Sequence, residues 1–165
     1  MTVMDFDSLY PSIKLPPCFC ALRDFMLNNI ENSEKYRKNI LELTELICHT
    51  SFFEFNGNIF LQNRGVPMGS PMSPILCDLV LCQLENSLLP EFKEEVILYS
   101  RYVDDVFILW KDNINVLAFL NNINNNNYGL KLRLDQEALL MSISLTSTSY
   151  AKEVKYALTS TENRA

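Results

Sequence analysis

The chain has 165 residues, 48% hydrophobic and 21% charged, a globular composition with enough length to bury the core of one domain. Fourteen Lys and Arg against 20 Asp and Glu leave a net charge of −6. That argues against a free-standing nucleic-acid binder, because neutralising phosphates takes a surplus of cations. No apolar run approaches the roughly 20 residues of a membrane span, and no basic-then-apolar signal opens the chain, so an intracellular protein with no membrane partner is expected.

The opening Met1-Thr2-Val3-Met4-Asp5-Phe6-Asp7-Ser8-Leu9-Tyr10-Pro11-Ser12-Ile13 reads as the end of a strand and its exit loop. Asp5 and Asp7 alternate and would share a face, although Asp7 is equally suited to cap the next element. A sheet strand seldom starts a domain so abruptly, so the chain is expected to be a fragment of something longer. Pro16 and Pro17 punctuate the chain before a helix over about Cys18 to Asn29. A second helix over about Glu34 to Thr50 places Tyr36, Ile40, Leu43, Leu46 and Ile47 at helical spacing, with Lys35, Arg37, Lys38, Glu42 and Glu45 mostly opposite. Both helices are expected to cover a sheet.

Residues 51–55 and 58–62 flank Asn56-Gly57, the strongest short hairpin signal. They lead into Asn63-Arg64-Gly65-Val66-Pro67-Met68-Gly69-Ser70-Pro71-Met72-Ser73-Pro74, a shaped loop whose glycines let a ligand or base pair approach the backbone. A long helix over about Pro74 to Leu89 comes next, with Ser73 as expected N-cap and Ile75, Leu76, Leu79, Val80, Leu84 and Leu88 as its buried face. After an acidic connection, Pro90 to Glu95, comes a second hairpin, in which two apolar runs meet at Asp104-Asp105. A helix over Asn113 to about Asn124 turns Ile114, Leu117, Phe119, Leu120 and Ile123 inward. The run Asn124 to Asn127 reads as a surface turn only. Leu130 to Leu134 alternates as a half-buried strand with Lys131 and Arg133 on its open face, another strand is expected around Leu139 to Leu145, and the polar tail from Thr146 stays unassigned.

Five cysteines, Cys18, Cys20, Cys48, Cys77 and Cys82, lie in apolar segments without repeated metal-ligand spacing, so they read as reduced, mostly buried thiols. His49, the single histidine, reads as a helix-end residue, with nothing nearby to support a nucleophilic triad.

Two adjacent carboxylates repel each other, and a divalent cation with oxygen ligands relieves the repulsion. An Asp-Asp hairpin turn without chemistry is the plain alternative. The element order gives an α+β domain, an antiparallel sheet covered on one face by helices. Such a sheet can bring Asp5, Asp104 and Asp105 together, and three carboxylates around a pair of magnesium ions suit phosphoryl transfer.

Asp5 with Ser8-Leu9-Tyr10, then Gly65 to Pro74, then Arg101-Tyr102-Val103-Asp104-Asp105 resemble motifs A, B and C of a reverse transcriptase palm, in the right order. The forms of all three are most similar to the Penelope-like retroelements, a group related to telomerase, and Leu130 to Leu134 resembles the motif D region. The resemblance covers roughly residues 3 to 134. It implies a polymerase palm over residues 1–145 and RNA-directed DNA polymerase activity, with RNA template, DNA primer and dNTP as partners. It also implies two Mg2+ ions, replaceable by Mn2+, and action in the nucleus. Asp5, Asp104 and the backbone carbonyl of Phe6 would be metal ligands, with Asp105 a supporting acid. Tyr10 would be the aromatic steric gate under the incoming sugar. Met68 and Gly69 would lie against the nucleotide and template base, Met68 standing where many retroviral-type enzymes carry Gln. Arg64 and Ser73 would reach phosphate or primer, against plainer roles as solvated charge and helix cap. Fingers, thumb and a GIY-YIG endonuclease have no counterpart in the sequence. The opening Asp5 to Ile13 also looks like motif A of a family B DNA polymerase, but the Gly/Pro/Ser loop and the Asp104-Asp105 pair favour the reverse transcriptase. A retroelement remnant keeping the palm fold without turnover is the third reading. A phosphate-binding hydrolase is the most distant, because no Walker-type loop is present.

Overall fold

Alternation of burial along the first strand sets the architecture. In β1 (Thr2–Phe6) the side chains of Thr2, Met4 and Phe6 are buried, while Asp5 is exposed, so one face of the strand packs and the other stays open. The computed structural model describes residues 1–31, 33–111 and 115–135. Besides β1 its strands are β2 (Phe52–Phe55), β3 (Asn58–Leu61), β4 (Val96–Tyr102), β5 (Asp105–Trp110) and β6 (Leu132–Leu134). Its helices are α1 (Leu9–Ser12), α2 (Leu15–Asn29), α3 (Glu34–His49), α4 (Ser73–Leu88) and α5 (Val116–Asn124). Four strands form one sheet in the order β4-β5-β1-β6, every neighbouring pair antiparallel, and β2 and β3 form a separate two-stranded sheet. The fold is the expected α+β one.

The core lies between the closed face of the four-stranded sheet and the helices. Met4, Phe6, Val106, Ile108 and Leu132 from the sheet meet Leu76, Val80, Leu81 and Leu84 of α4, all essentially buried. Trp110 and Phe92 pack edge-on against Phe119 of α5, and the Trp110 indole donates to Thr2 Oγ1 at 2.8 Å inside this cluster.

Several sequence expectations need correcting. Pro16 and Pro17 do not precede α2; they occupy its first turn, where a missing N–H is harmless. Helix α3 is capped by Ser33, whose hydroxyl accepts the Tyr36 amide at 3.3 Å, but its apolar stripe is not its buried face. Thr44 and Cys48 are buried, whereas Tyr36, Leu43, Leu46 and Ile47 are exposed. Ser73 is not the N-cap of α4 but its first residue, and its buried hydroxyl donates to the Pro67 carbonyl at 2.5 Å. On α4 and α5, Ile75 and Leu117 face outward, while Cys77 and Leu81 join the core. Cys18, Cys48 and Cys77 are buried and Cys20 is exposed; burial pushes the Cys18 and Cys77 thiols up to about 12. Asn113, Ile114, the 139–145 strand and the tail lie outside the described residues.

The asparagine run does more than turn the chain. Asn124 Nδ2 donates to the Leu132 carbonyl at 3.0 Å and Asn124 Oδ1 accepts the Leu132 amide at 2.7 Å. Asn126 treats Leu130 in the same way, at 2.9 and 3.1 Å. The two amides thus hold the segment entering β6 by its backbone. Among the described residues no helix is long and apolar enough to cross a membrane.

Candidate active site

The register of the sheet assembles the acids. Asp5 of β1 stands directly opposite Asp105 of β5, and on its other side it faces Arg133 of β6, so Asp105, Asp5 and Arg133 form a row across the open face. Asp104 lies in the two-residue turn between β4 and β5, and its carbonyl accepts the Phe6 amide at 3.1 Å. The strand end and the acidic turn are thereby joined through the backbone. Asp5, Asp104, Asp105, Arg133, Leu134 and Asp135 line one cavity of about 550 Å3.

Like charges directly opposite each other weaken an antiparallel pair, so this row is tolerated against stability. Partial burial, then the charges of Asp104, Asp105, Asp7 and Asp135, hold the Asp5 carboxyl above its ordinary value. Arg133 offsets little of this, because its guanidinium is drawn to Asp7 at 2.6 Å. Asp7 lies just past β1 and does not cap a helix through its side chain; its carboxylate takes Arg133 and the Ser8 hydroxyl instead.

All candidate ligands are hard oxygen donors, the chemistry that suits magnesium. Among the described residues no three His, Cys, Asp or Glu side chains close around a metal-sized point. An open carboxylate set fits this ion, which commonly uses one or two carboxylates and completes its shell with water and substrate phosphates.

The other expected site residues gather in a neighbouring place. Tyr10, in α1, is half-buried and does not line the carboxylate cavity; burial, then the charges of Cys77 and Asp104, raises its pKa. Its carbonyl accepts the Val66 amide at 3.0 Å. Gly65 lies against this turn with φ +70, and an added Cβ would stand 2.3 Å from the Tyr10 oxygen, so only glycine allows the loop to cross α1 this closely. Arg64 and Met68 are exposed and share a second cavity of about 560 Å3 with Pro11, Phe52 and Phe53. Gly69 has φ +88 and open space where a side chain would begin. Ser73 is wholly buried with its hydroxyl taken up by the Pro67 carbonyl, so it supports the loop from beneath.

Sequence reasoning missed what stands behind the acidic turn. Val103 has φ +55, a left-handed conformation rare for a β-branched residue. Arg101 donates from Nη1 to the Val103 carbonyl at 3.2 Å, from Nε to Glu85 at 2.5 Å and from Nη2 to Asp78 at 2.7 Å. Burial disfavours its charge, but Glu85 and Asp78 outweigh that and keep its pKa above the ordinary value. The available signal was an arginine inside an apolar strand, a position that demands a partner.

Residues 1–156 match the family model described as reverse transcriptase (RNA-dependent DNA polymerase). The chain belongs to the reverse transcriptase family. Telomerase reverse transcriptase of Euplotes aediculatus is 26% identical over 136 residues, 78% of this chain and 13% of the relative. Retron Ec73 reverse transcriptase of Escherichia coli is 28% identical over 111 residues, 64% of this chain and 30% of the relative. The chain therefore spans less than a third of either reverse transcriptase. In fold it is similar to apo telomerase from Candida tropicalis truncated from its C-terminal domain. The TM-score is 0.59 at 19% identity, over 80% of this chain and 29% of that one.

Proposed function

We propose that residues 1–145 are the palm of an RNA-directed DNA polymerase from a retroelement resembling the Penelope-like group. The palm would transfer a nucleotide from dNTP to a primer 3′-hydroxyl on an RNA template. The observation that carries the reading is the opposition of Asp5 and Asp105 beside Asp104, a repulsive arrangement with no structural use, over one cavity on the open face of the sheet. Asp5, Asp104 and the Phe6 carbonyl would hold two magnesium ions, which when bound activate the attacking hydroxyl and offset charge on the triphosphate.

The chain's own residues orient the reactants. Asp105 keeps the charge density of the turn high. Tyr10 packs under the incoming sugar and disfavours a 2′-hydroxyl. Met68 and Gly69 lie against the nascent base pair, Met68 by packing where a glutamine would hydrogen-bond. Arg64, exposed beside Met68, meets a backbone or triphosphate oxygen.

Primer extension on an RNA template with Mg2+ and dNTP tests this. Extension by a version lengthened upstream through fingers-encoding sequence, lowered about 100- to 1,000-fold by Asp104→Asn, is expected, with little or none from the palm fragment alone. Extension confined to DNA templates would move the chain to a family B polymerase. Equal, background-level products from every version, the lengthened one included and each folded by circular dichroism, would leave a non-catalytic remnant.

A further inference from the structure

Charged side chains are rarely buried without a reason, and the Arg101–Glu85 pair lies directly behind the acidic turn. The two side chains are 11% and 12% exposed. The Arg101 guanidinium spans both Glu85 oxygens, at 2.5 and 3.4 Å, and reaches Asp78 at 2.7 Å, so two carboxylates already neutralise it. It is not available as a counter-ion for Asp104 or Asp105. Its remaining bond runs to the Val103 carbonyl, the peptide oxygen of the one residue in the turn held left-handed. The Tyr99 hydroxyl donates at 2.7 Å to the same Glu85 oxygen that accepts Arg101 Nε, which fixes that carboxylate in place. Asp78 and Glu85 both project from α4, the helix that continues directly from the Gly65 to Ser73 loop.

We propose that Arg101 is a positioning residue. Locked to Glu85 and Asp78, it holds the Val103 peptide so that the turn presents Asp104 and Asp105, and it couples that turn to the helix bearing the Met68–Gly69 loop. The inference rests on the reading of this turn as metal-binding. An ion pair serving stability alone would make a different prediction, because a planar guanidinium can span three acceptors whereas a lysine ammonium or an apolar pair cannot.

The test compares the full chain with Arg101→Lys and with the double variant Arg101→Met/Glu85→Met, which replaces the buried pair by apolar side chains of similar volume. Three readouts are taken: the melting temperature, amide hydrogen exchange across Tyr102 to Asp105, and Mn2+ affinity by electron paramagnetic resonance. The double variant is expected to stay folded and to melt a little below the wild type, because Tyr99 loses its acceptor, to exchange faster at the turn and to bind Mn2+ about 10- to 100-fold more weakly. Arg101→Lys keeps the pairing with Glu85 and recovers only part of the Mn2+ affinity. Wild-type exchange and wild-type affinity in a folded double variant would overturn the proposal, and should that variant fail to fold, the same result in Arg101→Lys would do so. A wild-type chain that holds no Mn2+ sinks the metal-site reading, while exchange at the turn still decides whether Arg101 positions it.

Discussion

The two hairpins close with turns of equal length and opposite character. In the β2–β3 turn, Asn56 and Gly57 take φ +52 and +72, conformations these residues adopt readily, and the strands they join are exposed along their whole length. In the β4–β5 turn the left-handed residue is Val103, which resists that conformation, and the strands belong to the main sheet. Local chemistry makes the first turn. The second exists because Arg101, Glu85 and the Phe6 amide hold it against local preference, and backbone strain of this kind concentrates where carboxylates must be aimed.

Arg101→Met alone should have the largest effect on this contrast. It leaves Glu85 buried without its partner, and chemical denaturation should register a loss of about 3–5 kcal/mol. Gly57→Ala should cost about 1 kcal/mol, all of it backbone strain, because nothing lies within 4 Å of the new Cβ. Val103→Gly should act with the opposite sign: relief of about 1–2 kcal/mol, set against about 0.5–1 kcal/mol of added unfolded-chain freedom, leaves a net gain of about 0.5–1 kcal/mol. Equal losses at both turns would erase the distinction. Asp5→Asn should have the smallest effect, and one that depends on pH. Because the folded-state pKa of Asp5 is raised, ionising it weakens the folded state, so the variant should be the more stable protein at neutral pH. The difference should shrink as pH falls through the raised pKa and vanish below the ordinary value of 3.8. Urea midpoints at neutral and strongly acid pH check this, and a shift of equal size at both would contradict it.

What the sequence made legible was local. Asn56-Gly57, the apolar runs on either side of Asp104-Asp105 and the apolar spacing of α4 each carry their structure in a few consecutive residues. The direct opposition of Asp5 and Asp105 was not legible, because a one-residue slip in pairing would have turned one of them into the core. Helical spacing identified α3 but not its covered side, since Tyr36, Leu43 and Ile47 define a stripe without saying what packs on it. Ser73 looked like a cap because serine before proline fits that position, yet the Pro67 carbonyl was a nearer partner for its hydroxyl. Nothing in the spacing of α4 singles out Asp78 or Glu85, and only the tertiary fold brings Arg101 to them.

The side chain of Asn124 also bears on how the molecule behaves in a crowd. A strand at the margin of a sheet offers its free N–H and C=O groups to any passing chain. At Leu132 those two groups are already engaged by the Asn124 amide. A foreign strand arriving there would have to evict a two-point partner that is tethered to the same polypeptide and competes without diffusing away. One polar side chain thus makes self-recruitment into longer ribbons unfavourable at that margin, in a protein that carries many apolar side chains on its surface.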